Sequence, residues 1–455
     1  MRRGWGFGVA VCLGLGCGAG VESPESPPPR AVLEREMKVE RGATRQVRPV
    51  EGSVFGWTVS VDRTGNAFVS LAYERGGVDL GGGALPGDAG LALAKYAPDG
   101  THLWSLGFAT YNGASPRVSA MVTDGAGNLY VAGEHREPTL SLGGAPLPAG
   151  PFLAKYAPDG THLWSRPAAL PGVGLLPPQA LAVDEARGQL VVAVNFVDKG
   201  WPLGAALVGR VRAADGAVLA SSPVVRRGRL AVTSLALEPS GHITVAGFFE
   251  GEVDLGGSPF ATAHPRSPFV ARFTPDMRHV WSRGLSGAEG TATGVAVEPG
   301  RILVVGEYTG SIPFRGRPQV SEGKDGFVAV YGPTGGELWM RHFGESVTGV
   351  AVDEENRVVV TGQYRPGESV GGPVLPWRAG GTADNHLFVV KLYRGSGGHE
   401  WSRGLVSEGV LRAGTVAVTR RGEAVLLPRV EGAADVGKGP VITPPDSALF
   451  LRFVR

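Results

Sequence analysis

The sequence predicts an all-β protein, a seven-bladed β-propeller built from four-stranded antiparallel blades. Three observations support this: one hairpin motif recurs along the chain, a second recurs seven times, and apolar residues come in short, evenly spaced runs without a sustained helical period. A unit of two hairpins makes a four-stranded sheet that cannot bury both of its faces alone. Such sheets therefore stack on one another around an axis.

The first motif is a strand, a turn and a second strand that ends in Trp-Ser. The segment Leu93-Ala-Lys-Tyr-Ala-Pro-Asp-Gly-Thr-His-Leu-Trp-Ser105 is repeated unchanged at 153–165. Weaker copies occur at 269–282, 327–339 and 388–402, a degenerate copy at 208–219 has Leu219 in place of the tryptophan, and a half-copy occurs at 449–455. Pro-Asp-Gly provides the turn chemistry, so each full copy is predicted to form a β-hairpin.

The second motif is apolar alternation, a short turn with Gly, Asn or Asp, and alternation again. Met121-Val-Thr-Asp-Gly-Ala-Gly-Asn-Leu-Tyr-Val-Ala-Gly133 shows it clearly. Each copy is predicted to form the inner hairpin of a blade. We place the propeller at 36–455, and its approximate repeats start at 57, 119, 179, 233, 293, 348 and 414.

The N-terminus reads as an export signal. Two arginines, a short apolar stretch and small residues make 1–16 a predicted signal peptide, too short to span a bilayer. Its ending, Leu13-Gly14-Leu15-Gly16-Cys17, resembles a bacterial lipoprotein signal, which makes Cys17 the predicted lipid attachment site; ordinary signal cleavage and an uncleaved anchor are the alternatives. The Pro-rich residues 17–35 would then form a tether. The only other cysteine is Cys12, so no disulfide or cysteine-based metal site is expected in the body.

The last repeat ends after its third strand, which leaves one blade short of an outer strand. Upstream of the first repeat, Lys38-Val-Glu-Arg-Gly42 is similar to Trp281-Ser-Arg-Gly284. We therefore expect residues around Met37–Gly42 to close the ring as the outer strand of the last blade, antiparallel to Leu449–Val454. A strand edge left open there would be exposed.

A third recurrent piece lies between the two hairpins of a repeat. It reads Gly77-Val-Asp-Leu-Gly-Gly82 and Glu252-Val-Asp-Leu-Gly-Gly257, with relatives at 141–144 and 370–372. With this piece the chain resembles a family of bacterial propeller-repeat proteins, many of them exported or lipid-anchored. The Gly-x-x-x-Trp ending also resembles the tryptophan-docking motif of quinoprotein-type propellers and of the outer-membrane assembly scaffold that shares their fold. The resemblance implies architecture, since most of these proteins have no assigned activity.

Two residue types recur at fixed repeat positions. The tryptophans are interpreted as structural, packing blade on blade with the indole N–H on a turn carbonyl; they are Trp104, Trp164, Trp281, Trp339 and Trp401. Four histidines stand two residues before a tryptophan, on the same strand face by the period of two; they are His102, His162, His279 and His399. They belong to different blades, so repeat inheritance is favoured over a shared metal site.

Two further motifs are weighed against local explanations. Asp79 and Asp254 in the Asp-Leu-Gly-Gly pieces lack neighbouring oxygen ligands at loop spacing, which favours side-chain bonding to the turn over calcium binding. Gly367-Glu-Ser-Val-Gly371 matches the serine-hydrolase pattern, but that pattern works on a strand-to-helix elbow. Here it falls in a β-unit turn, so it is interpreted as a chance match.

These observations predict a binding or scaffold module at the cell envelope without catalytic, cofactor or metal residues. The alternative is an enzyme with a quinoprotein-like cofactor in the central channel, which would need converging carboxylates; the main candidates are Glu289, Glu345 and Glu408. The formal net charge of +2 comes from Arg2 and Arg3, so nothing indicates nucleic-acid binding. We expect a monomer that binds a protein or glycan on a propeller face and touches the membrane only through its lipid, at the outer membrane or cell surface.

Overall fold

The computed structural model describes residues 43–50, 53–75, 77–111, 116–168, 177–196, 204–379, 384, 386–412, 414–437, 439–443 and 447–454. These residues form seven antiparallel sheets, and no α-helix occurs among them. Each sheet has a core of four strands. The protein is a seven-bladed β-propeller, as the repeats predict.

Each blade has four strand positions from the axis outward. From blade 1 to blade 7, the inner strands are Ser53–Val61, Arg117–Thr123, Pro178–Asp184, Arg227–Leu237, Ala288–Glu298, Ser346–Val352 and Val416–Val418. In the same order, the second strands are Ala67–Glu74, Leu129–Leu140, Gln189–Phe196, Ile243–Asp254, Arg301–Phe314, Val358–Gln363 and Ala424–Leu426.

The third strands are Gly90–Tyr96, Leu147–Tyr156, Ala205–Arg212, Ser267–Phe273, Asp325–Tyr331, His386–Leu392 and Ser447–Phe453. The outer strands are His102–Ala109, His162–Pro167, Val218–Pro223, His279–Gly284, Glu337–His342, His399–Ser407 and Thr44–Val50. Neighbouring inner strands contact each other around the whole circle, including blade 7 with blade 1. The sheets therefore form a closed ring.

Six short strands lie in the connections. They are Phe260–Ala261, Arg317–Val320, Leu411–Arg412, Arg429–Val430, Ala433–Asp435 and Pro440–Ile442. The short strands Ala433–Asp435 and Pro440–Ile442 of blade 7 extend the sheet of blade 6, where Asp435 pairs with Val406 on the outer strand. This addition pairs the last two residues of that outer strand, Val406 and Ser407, whose backbone groups would otherwise lie on an open edge.

The hydrophobic core lies between the blades. Seven clusters of buried residues correspond to the seven blade junctions, one cluster to each pair of neighbours. Both faces of every sheet are thereby covered, which explains the nearly continuous burial of the third strands. No blade has a core of its own.

Inner strands are joined to their neighbours by hydroxyl groups at β-bulges. The register of the first ladder shifts at Ser119, Thr233 and Thr293. Their hydroxyls donate to backbone carbonyls on the inner strand of the next blade, at Pro178, Ala292 and Val347 respectively. The extra residue of a bulge breaks the alternation of side chains along the strand, so that the hydroxyl points toward the next blade.

Ring closure by an N-terminal strand is confirmed, but the predicted segment was wrong. Thr44–Val50 pairs antiparallel with Ser447–Phe453, with Val47 opposite Leu451. The Met37–Gly42 segment lies outside the described residues, and Thr44–Val50 fills the position that we assigned to it. Gln46 stands opposite Arg452, the place that tryptophan occupies in other blades, so the search for a Trp-Ser-Arg-Gly relative led to the wrong segment.

The two ends of the ring carry different kinds of loop. One end carries the turn within each hairpin, such as 62–66 and 97–101 in blade 1, and we call it the hairpin-turn face. The other end carries the connections between second and third strands and those between blades, and we call it the connection face. On it the inner strands begin and the outer strands end.

Candidate functional site

The hairpin-turn face is held together by polar bonds between blades. In the third strands of all blades except blade 5, a lysine or arginine donates to a turn carbonyl of the next blade; these are Lys95, Lys155, Arg210, Arg272, Lys391 and Arg452. Several of them also pair with a carboxylate of their own inner hairpin, as Arg272 does with Glu238 at 2.6 Å. Each such pair is largely buried, so both the charge and the carbonyl are satisfied.

The repeated tryptophans reinforce the same junctions. Nε1 of Trp104 donates to the carbonyl of Pro158 at 3.0 Å, and Nε1 of Trp281 to that of Pro333 at 2.9 Å. Trp164 does the same with Ala213 of blade 3. Trp104, Trp164 and Trp281 therefore each bond to a turn of the next blade. The indole of Trp401 is buried and that of Trp339 partly buried against the next blade, and neither donates a hydrogen bond from Nε1 to a described residue.

Two blades depart from the tryptophan pattern. In blade 3 the residue opposite Arg210 is Ala220, so the position equivalent to tryptophan is Ala220 and not Leu219, as the sequence comparison had it. In blade 7 the position belongs to Gln46, whose amide donates to the carbonyl of Pro98 at 3.2 Å. The glutamine therefore makes the bond that an indole makes elsewhere.

The histidines face away from the tryptophans, contrary to our expectation. A bulge shifts the register of the outer hairpin, so that Trp164 lies opposite Lys155 while His162 lies opposite Tyr156. The imidazole turns back onto the connection of its own blade, over Gly143 and Gly144. Burial lowers the pKa of His162 below its ordinary value, and the other three histidines behave alike. These side chains are neutral packing groups at neutral pH.

This packing explains the recurrent Gly-Gly pair. The first glycine has a positive φ of 106° at Gly81 and 104° at Gly143, a left-handed conformation that favours glycine. At the second glycine an added Cβ would come within 3.0 Å of the imidazole in the four blades with the histidine. The Gly-Gly and His motifs, 18 to 27 residues apart in sequence, are therefore two halves of one contact.

The polar residues of these connections bond locally, as predicted. Oδ1 of Asp79 accepts hydrogen bonds from the N–H groups of Gly81 and Gly83, and Asp254 accepts one from Gly256. Ser369, the serine of the Gly-x-Ser-x-Gly match, donates to the carbonyl of Gly372 and accepts from the N–H of Gly371. Its hydroxyl caps a turn and does not resemble an activated nucleophile.

A dense network of charged side chains lies on the connection face of blades 5 to 7. Arg365 lies within 4 Å of three carboxylates: Asp325 at 3.5 Å, Glu345 at 3.7 Å and Glu368 at 3.1 Å. The network continues with Lys324 and Glu307, 2.8 Å apart. These groups are partly exposed, so the network meets solvent with both signs of charge.

The network continues toward blade 7 through two exposed ion pairs. Arg378 pairs with Glu408 at 3.1 Å, and Arg412 pairs with Asp384 at 2.7 Å. Burial raises the pKa of Asp384, but the hydrogen bond and charge of Arg412 outweigh this effect and bring the pKa below its ordinary value. The carboxylate is therefore ionised at neutral pH. Each of the four side chains is about half exposed.

Trp377 directly precedes Arg378 of this network in the chain and is 53% exposed. The backbone on either side of it is fixed. The hydroxyl of Tyr364 donates to the carbonyl of Pro376, and the N–H of Arg378 donates to Nε2 of the buried His386 at 3.1 Å. An exposed indole on an anchored backbone loses little conformational freedom when it binds.

The carboxylates named for a central cofactor do not converge in the described structure. Glu345 and Glu408 belong to the network above, each paired with an arginine, while Glu289 is an exposed residue of the inner strand of blade 5. Within the described ranges no three His, Cys, Asp or Glu side chains are placed to hold a metal ion. Nor is any helix in that part of the chain long and apolar enough to cross a membrane. Cys17 lies outside the described residues.

Sequence reasoning missed Trp377 and its arginines because they do not repeat. A signal was nevertheless present. Trp377 is a tryptophan away from the repeat position, in the long connection of blade 6 that follows its Gly-Gly turn. Residues at the repeated positions hold the ring together, whereas an unrepeated aromatic residue in a connection is free to serve binding.

Comparisons with known proteins return structural likenesses only. No family model matches the chain, and no curated protein matches it. Among solved structures, BamB from Moraxella catarrhalis is 12% identical with a TM-score of 0.39, covering 90% of this chain and 99% of that one. A protein of unknown function from Dyadobacter fermentans gives 11% and 0.42, covering 90% and 99%. Hydrazine synthase of Kuenenia stuttgartiensis gives 11% and 0.47, covering 83% and 94%.

Proposed function

We propose that the protein is a lipid-anchored binding module of the cell envelope, and that it holds a protein partner on the connection face of blades 5 to 7. The observation that supports this most is Trp377, an exposed indole on an anchored backbone, on a face that also carries the exposed Arg378–Glu408 and Arg412–Asp384 ion pairs. Tryptophan and arginine are among the residues most enriched where binding energy is concentrated in protein interfaces.

The choice of face follows from how the two ends of the ring are used. On the hairpin-turn face, turn carbonyls are engaged by lysine, arginine and tryptophan from the preceding blade. On the connection face, the arginines pair with carboxylates at the surface, where a partner can contact them. Alternating exposed charges match a partner that offers the opposite pattern and reject one that does not.

The partner is therefore expected to be a folded protein that has an apolar pocket for the indole, bordered by charged side chains. Placing a photo-crosslinking amino acid at position 377 in intact cells should give one discrete adduct. The same amino acid at position 163 should give none, since Leu163 is 48% exposed but lies on an outer strand.

Affinity measurements with the identified and purified partner complete this test. Trp377→Ala should weaken binding by at least about tenfold, whereas Leu163→Ala should leave the affinity unchanged. The proposal would be contradicted by equal losses of affinity in the two variants or by adducts at position 163 alone. Binding of envelope glycan fragments in place of a protein would contradict it as well.

The membrane anchor is proposed on the leader and the Pro-rich tether that follows it. Cys17→Ser should move the protein from the membrane fraction to the soluble fraction, because a thioether-linked lipid can no longer be added. Cys12→Ser is the matched control and should stay with the membrane. Membrane association of the Cys17→Ser protein, together with no acyl mass on Cys17 in the wild type, would contradict lipid anchoring.

A further inference from the structure

Blade 5 differs from the other six blades at the third-strand position whose lysine or arginine donates a hydrogen bond to a turn of the next blade. We call this hydrogen bond between blades the staple. Val330 stands there, opposite Trp339, just as Lys95 stands opposite Trp104 in blade 1. Val330 is completely buried and its side chain has no group to donate. Among the described residues, blade 5 alone sends no third-strand side-chain hydrogen bond to a turn of its neighbour.

The docking tryptophan of blade 5 does not replace the missing bond. Nε1 of Trp339 is buried and has no hydrogen-bond partner in the described structure. In the turn on which it packs, the N–H of Tyr393 donates to the carbonyl of Gly398, the spacing also found in the Arg212–Ala217 turn of blade 3. In blade 3 the carbonyl of Ala213 accepts from Trp164, whereas no described carbonyl accepts from the indole of Trp339.

The missing cation also leaves a carboxylate without its usual partner. Glu298 ends the inner strand of blade 5, where other blades have the acid that meets the third-strand cation. Its side chain is 2% exposed, and Oε2 has no hydrogen-bond partner among the described residues. Burial raises the pKa of Glu298 above its ordinary value.

Three charged groups surround Glu298. Arg301 of its own hairpin lies 3.7 Å away, and Arg394 approaches from the turn of blade 6. Asp353 of blade 6 is the third, and it already pairs with Lys391 at 2.9 Å. Neither arginine makes a hydrogen bond to Glu298 in the described structure, so the carboxylate stays poorly compensated when it ionises.

The other end of the same junction is well fastened. Arg365 of blade 6 donates to the carbonyl of Lys324 in blade 5 and lies 3.5 Å from Asp325. Nearer the axis, the hydroxyl of Thr293 donates to the carbonyl of Val347. The junction is thus joined on the connection face and at the axis, while the described residues place no such staple on its hairpin-turn face.

We propose that the junction between blades 5 and 6 is a seam where the ring opens reversibly on its hairpin-turn face, hinged on Arg365 and Thr293, and that ionisation of Glu298 favours the open form. When the junction opens, water can hydrate the carboxylate of Glu298 and the indole N–H of Trp339. This hydration offsets part of the free energy lost with the apolar contacts. The opening edge lies on the hairpin-turn face, at the other end of the ring from Trp377, while the hinge residue Arg365 belongs to the charged network of the connection face.

The sign of the pH dependence follows from the direction of the shift. A carboxyl whose pKa is raised in the closed form binds its proton more tightly there than in the open form, where water restores the ordinary value of 4.5. The closed seam is therefore favoured below pH 4.5. Opening increases as the pH rises through the raised pKa and is constant above it.

Hydrogen exchange followed by mass spectrometry on the full chain tests the proposal. After correction for intrinsic rates, backbone amides of residues 295–303 and 392–399 should be at least about tenfold less protected than their equivalents at the junction of blades 1 and 2. Val330→Lys supplies the missing staple and should raise protection there by about tenfold, without changing other junctions. Glu298→Gln should remove the pH dependence of the exchange.

Lys95→Val is the matched control, because it removes the staple from an intact junction. It should produce a second region of low protection between blades 1 and 2. Uniform protection of all junctions in the wild type would overturn the proposal. A pH dependence of exchange at this junction that survives Glu298→Gln would also overturn it. Glu298→Gln preserves the shape of the side chain, so the proposal can still be tested if Val330→Lys does not fold.

Discussion

Deleting residues 43–50 while keeping the tether is expected to lower the melting temperature by at least about 10 °C or to abolish folding. The strand buries Val50 at the junction of blades 7 and 1 and part of Val47 at the junction of blades 6 and 7, which contributes on the order of 3–6 kcal/mol. Its loss also exposes the edge of Ser447–Phe453 and removes the bond from Thr44 to the carbonyl of Val436. A typical total stability is only about 5–15 kcal/mol. Circular dichroism against temperature measures the effect.

A deletion of equal length in the tether, residues 22–29, is the control and should leave the melting temperature unchanged. A synthetic peptide of residues 43–50 should restore part of the stability in trans, because the site that it occupies belongs to the last blade and blade 1. If both deletions melt alike, or if the peptide has no effect on the shortened protein, the strand does not close the ring in solution.

Trp164→Ala is expected to destabilise the protein by about 3–5 kcal/mol, the cost of a large-to-small change in a core. The indole is 7% exposed, packs over Gly216 of blade 3 and donates to the carbonyl of Ala213. The variant leaves a cavity at the junction and removes the indole's bond to that carbonyl. Urea titration followed by fluorescence, with Trp164→Phe as the intermediate variant, gives the free energy of unfolding.

His162→Ala, two residues away on the same strand, is the matched comparison and should cost about 1 kcal/mol or less. Its imidazole is half-buried, packs over glycines of its own blade and makes no hydrogen bond from Nε2 to a described residue. Equal costs for the two variants would mean that the histidine, and not the tryptophan alone, transmits stability between blades.

The repeats were enough to predict the blades, because each motif carries its own local physics. Pro-Asp-Gly favours a turn, and alternation of apolar and polar residues favours a strand. The position of the closing strand was not predictable in the same way. Gln46 does in blade 7 what tryptophan does elsewhere, so similarity to Trp-Ser-Arg-Gly favoured residues 37–42.

Bulges explain the second failure. A period of two places His162 and Trp164 on one face, but the register shift at Lys155 separates them. A bulge depends on hydrogen bonds with the neighbouring strand, and a single strand's sequence does not specify it. Trp377 escaped for a third reason: repeat analysis finds what blades share, and this residue belongs to one connection only.

The closing ladder joins residues that lie nearly a whole chain apart. Thr44 pairs with Phe453, and its hydroxyl also donates to the carbonyl of Val436, 392 positions away, while most other ladders join strands that follow one another. The ribosome makes Thr44–Val50, the outer strand of blade 7, before the strands of blade 1. It makes Ser447–Phe453, the third strand of blade 7, after the strands of the other six blades. Contacts of such separation form late, since the intervening chain must first be ordered. The strand Thr44–Val50, which is synthesised before the strand that it pairs with, is therefore among the last to dock, and in the interval the last blade lacks its outer strand.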